Sequence, residues 1–231
     1  MDNKAYEMSR RIMPLATMFA ILLTPVFALA SRPDVPPGQV SPAEAYDYRN
    51  FTAPAVSHHE FTVTNGGGVV RVIEDMDRSL PGEVLIHRFF NLETGGFYQR
   101  DYHFLITESD VLWDTEDRMT QLNVFDPPLS IRQSVMPKGV MQASSAVKGT
   151  WLLDTLVAES GVTRFNVALG VEDVHLALGT LPDCLRLYAE HDGRPRMSWF
   201  CPDFGLAKRV YGDNGAIWEL DLSTCVGCPS L

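Results

Sequence analysis

Four cysteines are the residues whose type and spacing point most directly to chemistry: Cys184, Cys201, Cys225 and Cys228. An even number of cysteines in an exported protein is typical of disulfide bonds. Asp192-Gly193 is a strong signal for a two-residue hairpin turn. A hairpin closed on that turn places Cys184 opposite Cys201 in a non-hydrogen-bonded pair, where Cα atoms come closest and a disulfide fits. We therefore predict a Cys184–Cys201 disulfide.

The other two cysteines form a Cys-x-x-Cys motif close to the C-terminus. A redox-active motif of this kind needs a helix N-terminus that lowers the thiol pKa. Here a strand-like segment precedes Cys225, and Pro229 follows Cys228. A zinc site needs four ligands at a suitable spacing, and the chain has only one such motif. We expect a structural disulfide, with thiol-redox reactivity and metal binding as the alternatives.

Histidines and carboxylates offer a second kind of site chemistry. His58 and His59 are adjacent, and neighbouring residues of a strand point to opposite faces, so they cannot readily chelate one ion. The 29 acidic residues show no spacing that singles out an acid/base pair. Neither a Gly-x-Ser-x-Gly elbow nor a His-Glu-x-x-His motif is present. The sequence therefore predicts no catalytic residue, no metal site and no cofactor.

Aromatic residues are dense in the C-terminal third of the chain, where they could line an apolar groove on a curved sheet. The candidate ligand-binding residues are Trp199, Phe204 and Trp218, with Lys208 beside them. The alternative is that these aromatic side chains form the hydrophobic core, as large aromatic residues commonly do.

The elements that position these residues begin after a leader segment. Arg10 and Arg11 precede an apolar run, and Ala28-Leu29-Ala30 matches the small-x-small pattern of a cleavage site. These features predict a secretory signal peptide over residues 1–30, cut before Ser31, and hence a periplasmic or secreted protein. The alternative is a membrane anchor, which prolines within the apolar run disfavour. No transmembrane segment is expected after cleavage.

The mature chain divides into a lead-in and a single β domain. Residues 31–57 contain five prolines, so we expect a poorly structured lead-in with one short helical turn within residues 43–51. Residues 58–231 show short alternating runs separated by Gly, Asp and Asn turns, which is typical of about ten to twelve strands. The apolar run at residues 151–158 fits either a helical turn or a strand. We predict an all-β fold with an antiparallel curved sheet, barrel-like or half-barrel.

The charge balance excludes some partners. Without the first 30 residues the chain has 16 basic and 27 acidic side chains, a net charge of −11. Nucleic-acid binding needs lysine and arginine to displace phosphate counterions, so we predict no nucleic-acid partner. The same balance argues against electrostatic docking on anionic lipid.

Several segments of the C-terminal half follow one another in a fixed order: Phe125–Leu129, Gly170–Val174, Gly179–Leu185, Trp199–Lys208 and Trp218–Leu220. This order resembles a family of secreted bacterial β-rich proteins of unknown function, with the motif Trp-(Tyr/Phe)-x-Pro-Gly-(Val/Phe)-Gly-Leu-Val-Lys. The resemblance covers about residues 120–222. The chain departs from it at Asp203, where the family often has Gly, and at Ala207, where it has Val. The resemblance implies a secreted antiparallel β fold akin to periplasmic lipoprotein-carrier half-barrels, and no established chemistry.

Together these features predict an exported cell-envelope protein that binds a partner protein or an apolar ligand such as a lipid, without catalysis. A periplasmic hydrolase is one alternative, and it would require two carboxylates facing each other across a cleft with perturbed pKa values. A thiol-redox accessory protein that uses Cys225 and Cys228 is the other.

Overall fold

The computed structural model describes residues 44–52, 56–78 and 80–225, with the side chain of Cys225 left out. These residues form fourteen β-strands and one short 3-10 helix, and they contain no α-helix. The predicted all-β class is therefore confirmed. No helix in the described part of the chain is long and apolar enough to cross a membrane.

Two strands form a small separate sheet and twelve form the main sheet. The small sheet pairs β1 (Ala45–Asp47) with β8 (Val135–Pro137), and the 3-10 helix covers Tyr48–Phe51. The strands of the main sheet are β2 (Val56–Gly66), β3 (Val69–Asp77), β4 (Glu83–Leu92), β5 (Phe97–Ile106), β6 (Asp110–Asp117), β7 (Gln121–Gln133), β9 (Met141–Leu152), β10 (Thr155–Leu176), β11 (Gly179–His191), β12 (Arg194–Cys201), β13 (Gly205–Tyr211) and β14 (Ile217–Cys225).

The main sheet closes into a twelve-stranded antiparallel barrel, so the predicted curved sheet is confirmed. Most neighbours in the barrel are consecutive in sequence, as expected for hairpins. Two pairings between strands that are not consecutive complete the ring: β14 pairs with β2, and β9 pairs with β7. Closure into a ring is the usual way in which a long antiparallel sheet limits its unpaired edges.

Turn chemistry fixes the register of the β11–β12 hairpin. Asp192 and Gly193 have φ values of 49° and 72°, as a type I′ turn requires. The resulting register runs from the pair His191 and Arg194 to the pair Leu185 and Phe200. The next pair in this register is Cys184 and Cys201, which form a disulfide with a Cα–Cα distance of 4.1 Å. The predicted pairing of these two cysteines is confirmed.

The ambiguous run at residues 151–158 is a hairpin between β9 and β10. Leu153 and Asp154 form its turn with φ values of 45° and 64°, although neither is a glycine. At the β12–β13 turn, Asp203 has a φ of 63°. Aspartate tolerates the left-handed region better than most residues, so it can stand where the resembling family often has glycine.

Residues 44–52 pack on the barrel and complete its apolar interior. Tyr48 donates its backbone N–H to the carbonyl of Ser134 at 2.8 Å. Tyr48 and Phe51 are buried in the main apolar cluster, together with Met136 from the small sheet. The Tyr48 ring meets the Phe200 ring edge-on, with 5.4 Å between centroids. This segment therefore forms part of the apolar floor of the barrel interior.

Candidate functional site

The interior of the barrel contains a cavity of about 690 Å³, which we call the lumen. A cavity of this size lies within the range of roughly 300–1,000 Å³ that is common for small-molecule sites. Side chains alternate between the two faces of a strand, so every second residue of most barrel strands points into the lumen. The lumen is therefore assembled from residues far apart in sequence.

The lumen is basic although the chain as a whole is acidic. Nine arginines and one lysine line it, against two glutamates and two aspartates. The basic residues are Arg78, Arg88, Arg100, Arg118, Arg132, Lys148, Arg164, Arg194, Arg196 and Arg209, and the acidic ones are Glu74, Glu116, Asp192 and Asp213. The acidic net charge of −10 is thus carried by the rest of the molecule.

One lumen arginine is neutralised by a buried glutamate. Arg88 and Glu74 are directly opposite on β3 and β4, and both Nε and one terminal nitrogen of Arg88 donate to the Glu74 carboxylate. Burial is the largest single effect on Glu74 and raises its pKa, but the charges of Arg88, His59 and Arg209 and the hydrogen bond from Arg88 together outweigh burial and lower that pKa. Burial likewise lowers the pKa of Arg88, but Glu74, Tyr102 and Tyr211 together outweigh it and raise that pKa.

A second glutamate holds another group of basic side chains. Glu116 accepts from Nε and a terminal nitrogen of Arg118 at 2.8 and 2.9 Å, and from the Asn123 amide at 3.1 Å. Arg100 lies 3.6 Å from the same carboxylate. Neither Glu74 nor Glu116 is therefore a free carboxylate that could act as a general base.

Four further lumen arginines have no carboxylate partner, and we call them the arginine quartet: Arg132, Arg164, Arg196 and Arg209. None of them forms an ion pair with any described residue. Nε of Arg164 donates to the Ile131 carbonyl at 3.3 Å and to Asn166 Oδ1 at 3.1 Å. Nε of Arg209 donates to Ser198 Oγ at 3.1 Å. The quartet is thus held largely by neutral groups.

Arg132 occupies the apolar floor of the lumen. Its guanidinium lies over the rings of Tyr48 and Phe200, 4.2 and 4.3 Å from their centroids. Its Nε is buried and has no hydrogen-bond partner. A register shift in the β6–β7 pairing leaves Ile131 unpaired and turns Arg132 inward opposite Val111.

The members of the quartet repel one another. Burial, and then the charges of Arg209 and Arg196, hold the pKa of Arg132 well below its usual range. Burial and the charges of the other three members likewise hold the pKa of Arg164 well below its usual range. Burial and Arg209 lower the pKa of Arg196 to about 10. A guanidinium stays protonated at neutral pH, so the lumen holds four positive charges that form no ion pair with a described carboxylate, although the charge of Arg209 also contributes to lowering the pKa of Glu74.

Aromatic rings form much of the remaining lumen wall. They are Phe90, Tyr98, Tyr102, Phe104, Trp113, Phe125, Tyr211 and Trp218. Several of them pack on one another, such as Phe90 on Tyr98 with 4.5 Å between ring centroids. Burial raises the pKa of Tyr211, but Arg209, Arg196 and Arg88 outweigh burial and lower it. The lumen therefore combines apolar surface with a concentrated positive charge.

The structure brings one of the four candidate ligand residues to the lumen. Trp218 lines it and is only 6% exposed. Trp199 lies on the opposite face of its strand from Phe200, and its indole N–H donates to Glu172 at 2.6 Å. Lys208 pairs with Glu219 at 2.6 Å, beside Trp199 and away from the lumen. Phe204 is buried in the main apolar cluster.

The remaining candidate residues of the sequence are cysteines and histidines. Cys225 ends β14 and its side chain is outside the described residues, as is all of Cys228. His58 faces outward and bonds to Asp75 at 2.6 Å, whereas His59 is fully buried, as strand alternation predicts. Among the described residues, no group of three or more His, Cys, Asp or Glu side chains could hold a metal ion.

Sequence reasoning missed the arginine quartet. The net charge of the chain pointed away from anionic ligands, because it averages an acidic exterior with a basic interior. One local signal was present: Arg194, Arg196 and Ser198 alternate along β12, between residues that face outward. Because either face of a strand can be the buried one, that pattern alone does not show which side chains line a cavity.

Comparison with protein families, curated proteins and solved structures finds no match to this chain. The resemblance of residues 120–222 to secreted β-rich proteins stays a prediction. The geometry of the lumen is therefore the main indication of function.

Proposed function

We propose that this protein is exported to the cell envelope and there binds an apolar or amphipathic small molecule in the barrel lumen. The single observation that supports this proposal is the cavity of about 690 Å³, walled by aromatic rings and arginines. Ligand sites of this kind are mostly apolar, with a few polar groups that orient the ligand. A barrel of about eight strands has an interior that side chains can just fill, so the twelve strands of this barrel leave room for a ligand.

Binding fits the lumen better than hydrolysis does. Both buried carboxylates, Glu74 and Glu116, are held by arginines rather than facing each other across the cavity. The pKa of Glu74 is lowered, so this carboxylate is not suited to be a general acid, which needs a raised pKa. The lumen residues thus supply recognition and not an acid/base pair.

The binding proposal is tested with a neutral fluorescent molecule, 1-N-phenylnaphthylamine. We expect saturable fluorescence enhancement with the purified protein. Ile86 lines the lumen, so Ile86→Trp should reduce the binding strongly by filling the cavity. Leu85 is the next residue of the same strand and points the other way, so Leu85→Trp is the matched control. Equal binding by both variants, or no saturable binding by the unaltered protein, would contradict the proposal.

Export is tested separately. N-terminal sequencing of protein from the envelope fraction should begin at Ser31, since Ala28-Leu29-Ala30 fits the cleavage pattern. Solvent extraction of the same sample, followed by mass spectrometry, should release a co-purifying small molecule in stoichiometric amount. An intact Met1 on membrane-bound protein would contradict export and cleavage.

A further inference from the structure

We propose that the arginine quartet binds the anionic group of the lumen ligand, so that the ligand is an organic anion with a carboxylate or phosphate group on an apolar body. This inference rests on the proposed binding function and specifies its ligand class. The observation behind it is the set of four inward-facing guanidiniums that no described carboxylate neutralises.

Two other arginines of the lumen are each paired with a glutamate, as is typical of an arginine with a structural role. Arg88 has Glu74, and Arg118 has Glu116, each in a two-bonded ion pair. The quartet departs from this arrangement although Arg164 and Arg209 are only 2% and 6% exposed. Buried arginines are almost always paired, so the unpaired Arg164 and Arg209, with the half-buried Arg132 and Arg196 in the same cavity, indicate that the partner comes from outside the chain.

The four guanidiniums converge from separate strands. Arg164 on β10 bonds to the carbonyl of Ile131, the residue before Arg132 on β7. Arg209 on β13 lies opposite Ser198 on β12, two residues from Arg196 on the same face. Arg209 and Arg196 lower the pKa of Arg132, and these three together lower the pKa of Arg164. The quartet is therefore one cluster at which a single anionic group can meet several guanidiniums.

The contacts of the quartet leave suitable donors for an anion. Arg164 bonds to the protein through Nε, Arg209 bonds through Nε to Ser198 and also has a side-chain hydrogen bond with Tyr211, and Arg132 is held through its face by two aromatic rings. A guanidinium has five N–H donors in a planar fork that matches carboxylate and phosphate oxygens. The protein thus fixes each arginine in place through one part and leaves other donors for a ligand.

The cost of burying unpaired charges also favours an anionic ligand. Removing a charge from water is unfavourable unless a partner compensates for it, and like charges nearby add to that cost. An anionic ligand would supply the missing charge, and the aromatic rings of the lumen wall would contact its apolar body. One ligand molecule would then contact both the arginine quartet and the aromatic rings.

The experiment compares three probes with the same ten-carbon chain: decanoate, decyl phosphate and decan-1-ol. We expect the two anions to bind at least tenfold more tightly than the alcohol, as measured by displacement of 1-N-phenylnaphthylamine below micelle-forming concentrations. Arg209→Gln and Arg196→Gln should each weaken the anions about tenfold or more, because a hydrogen bond to a charged group is worth roughly 1.5–3 kcal/mol. The alcohol should be unaffected.

The matched control is Lys208→Gln, which removes the same charge from the residue next to Arg209 on the outer face. It should leave the affinity for both anions unchanged. Circular dichroism spectra of the variants establish that each one is folded. A stronger preference for decyl phosphate would assign the ligand to the phosphate esters, and a stronger preference for decanoate would assign it to the carboxylates; either supports the quartet as an anion site.

Two results would overturn the inference in distinguishable ways. If all three probes bind equally, or if the quartet variants bind decanoate like the unaltered protein, the anion site is wrong while the lumen remains a ligand site. If no probe binds and 1-N-phenylnaphthylamine also fails, the proposed binding function and the anion site both fall.

Discussion

Arg88 and Glu74 form an ion pair inside the lumen, where the Glu74 side chain is 3% exposed and the Arg88 side chain 12%. The two residues are cross-strand partners on β3 and β4, so the backbone register sets their approach. The Arg88 guanidinium also lies over the rings of Tyr102 and Trp218, 4.8 and 5.5 Å from their centroids. The pair therefore anchors a lumen wall in which charge and aromatic surface meet.

Breaking this pair should be costly. Glu74→Gln removes the counter-charge of Arg88, and an uncompensated buried charge costs about 3–5 kcal/mol. We expect the free energy of unfolding in urea to fall by that amount. The control is Glu219→Gln, which breaks the exposed pair with Lys208 and should cost no more than about 1 kcal/mol. Equal small losses in the two variants would show that the buried pair contributes little.

Removing one member of the arginine quartet should stabilise the ligand-free protein, in contrast to breaking the Arg88–Glu74 pair. The side chain of Arg196 has no hydrogen bond or ion pair with any described residue, so its replacement leaves no side-chain partner unsatisfied. Arg196→Gln relieves repulsion from Arg209, and we expect the ligand-free protein to gain about 1 kcal/mol, or roughly 2–4 °C in melting temperature. Calorimetry on protein refolded from urea, which removes any bound ligand, checks this gain. A lower melting temperature for Arg196→Gln would mean that Arg196 supports the fold rather than a ligand.

The sequence predicted the β class and one hairpin in detail for a local reason. The Asp192-Gly193 turn admits positive φ at both residues, and the turn then sets the register of all the pairs that follow. The Leu153-Asp154 turn uses the same backbone region without a glycine, so its hairpin could not be told from a helical turn. The proline content of residues 31–57 predicted a poorly structured lead-in, and it did not predict that Tyr48 and Phe51 are buried in the apolar floor.

The candidate site was harder to predict because closure of the barrel creates it. Trp199 and Trp218 are equally plausible ligand residues by type, yet only Trp218 faces the lumen. Arg132 on β7 and Arg209 on β13 lie on strands that are not neighbours, and they interact only because the sheet curves into a barrel. Such long-range interactions leave no periodic trace in the sequence, whereas alternation within one strand does.

The Cys184–Cys201 disulfide should stabilise the protein without being needed for its fold. It joins residues 17 apart, and a loop of that size gives roughly 3 kcal/mol in the chain-entropy model. The hairpin already brings the two residues together, so replacing both with Ala should cost less than this. Urea unfolding measures the loss. Peptide mapping without reductant should recover the Cys184–Cys201 peptide, and a bridge from either residue to Cys225 or Cys228 would contradict the register.

Mild acid should destabilise the protein through His191. Burial lowers the pKa of His191 to about 4, with Arg164, Arg196 and Lys148 acting in the same direction and Asp192 against them. The unfolded histidine, with a pKa near 6.5, therefore takes up a proton first. The contribution of His191 is fully present above pH 6.5 and is lost as the pH falls toward 4, by up to about 1.4 kcal/mol per pH unit.

The variant His191→Gln should flatten this pH dependence, measured as the free energy of unfolding between pH 7.5 and 5. Buried His59 has a pKa lowered by burial and adds a loss of the same sign. His58 is the contrasting case, since its hydrogen bond to Asp75 raises its pKa and its contribution is lost as the pH rises. His58→Gln should therefore not reduce the acid sensitivity, and an unchanged profile in His191→Gln would contradict the assignment.

Tryptophan fluorescence should show where in the barrel a ligand lies. The probe is 11-bromoundecanoate, whose bromine atom quenches an indole only on close contact. Trp218 lines the lumen, so it should be quenched on binding, and Trp218→Phe should remove a large part of the signal. Trp199 is held by Glu172 on the outer face, so Trp199→Phe should leave the ligand-dependent quenching unchanged. Quenching that is unchanged in Trp218→Phe would assign the signal to Trp113, the other tryptophan that lines the lumen, and loss in Trp199→Phe alone would move the binding site to the outer face of β12 and β13.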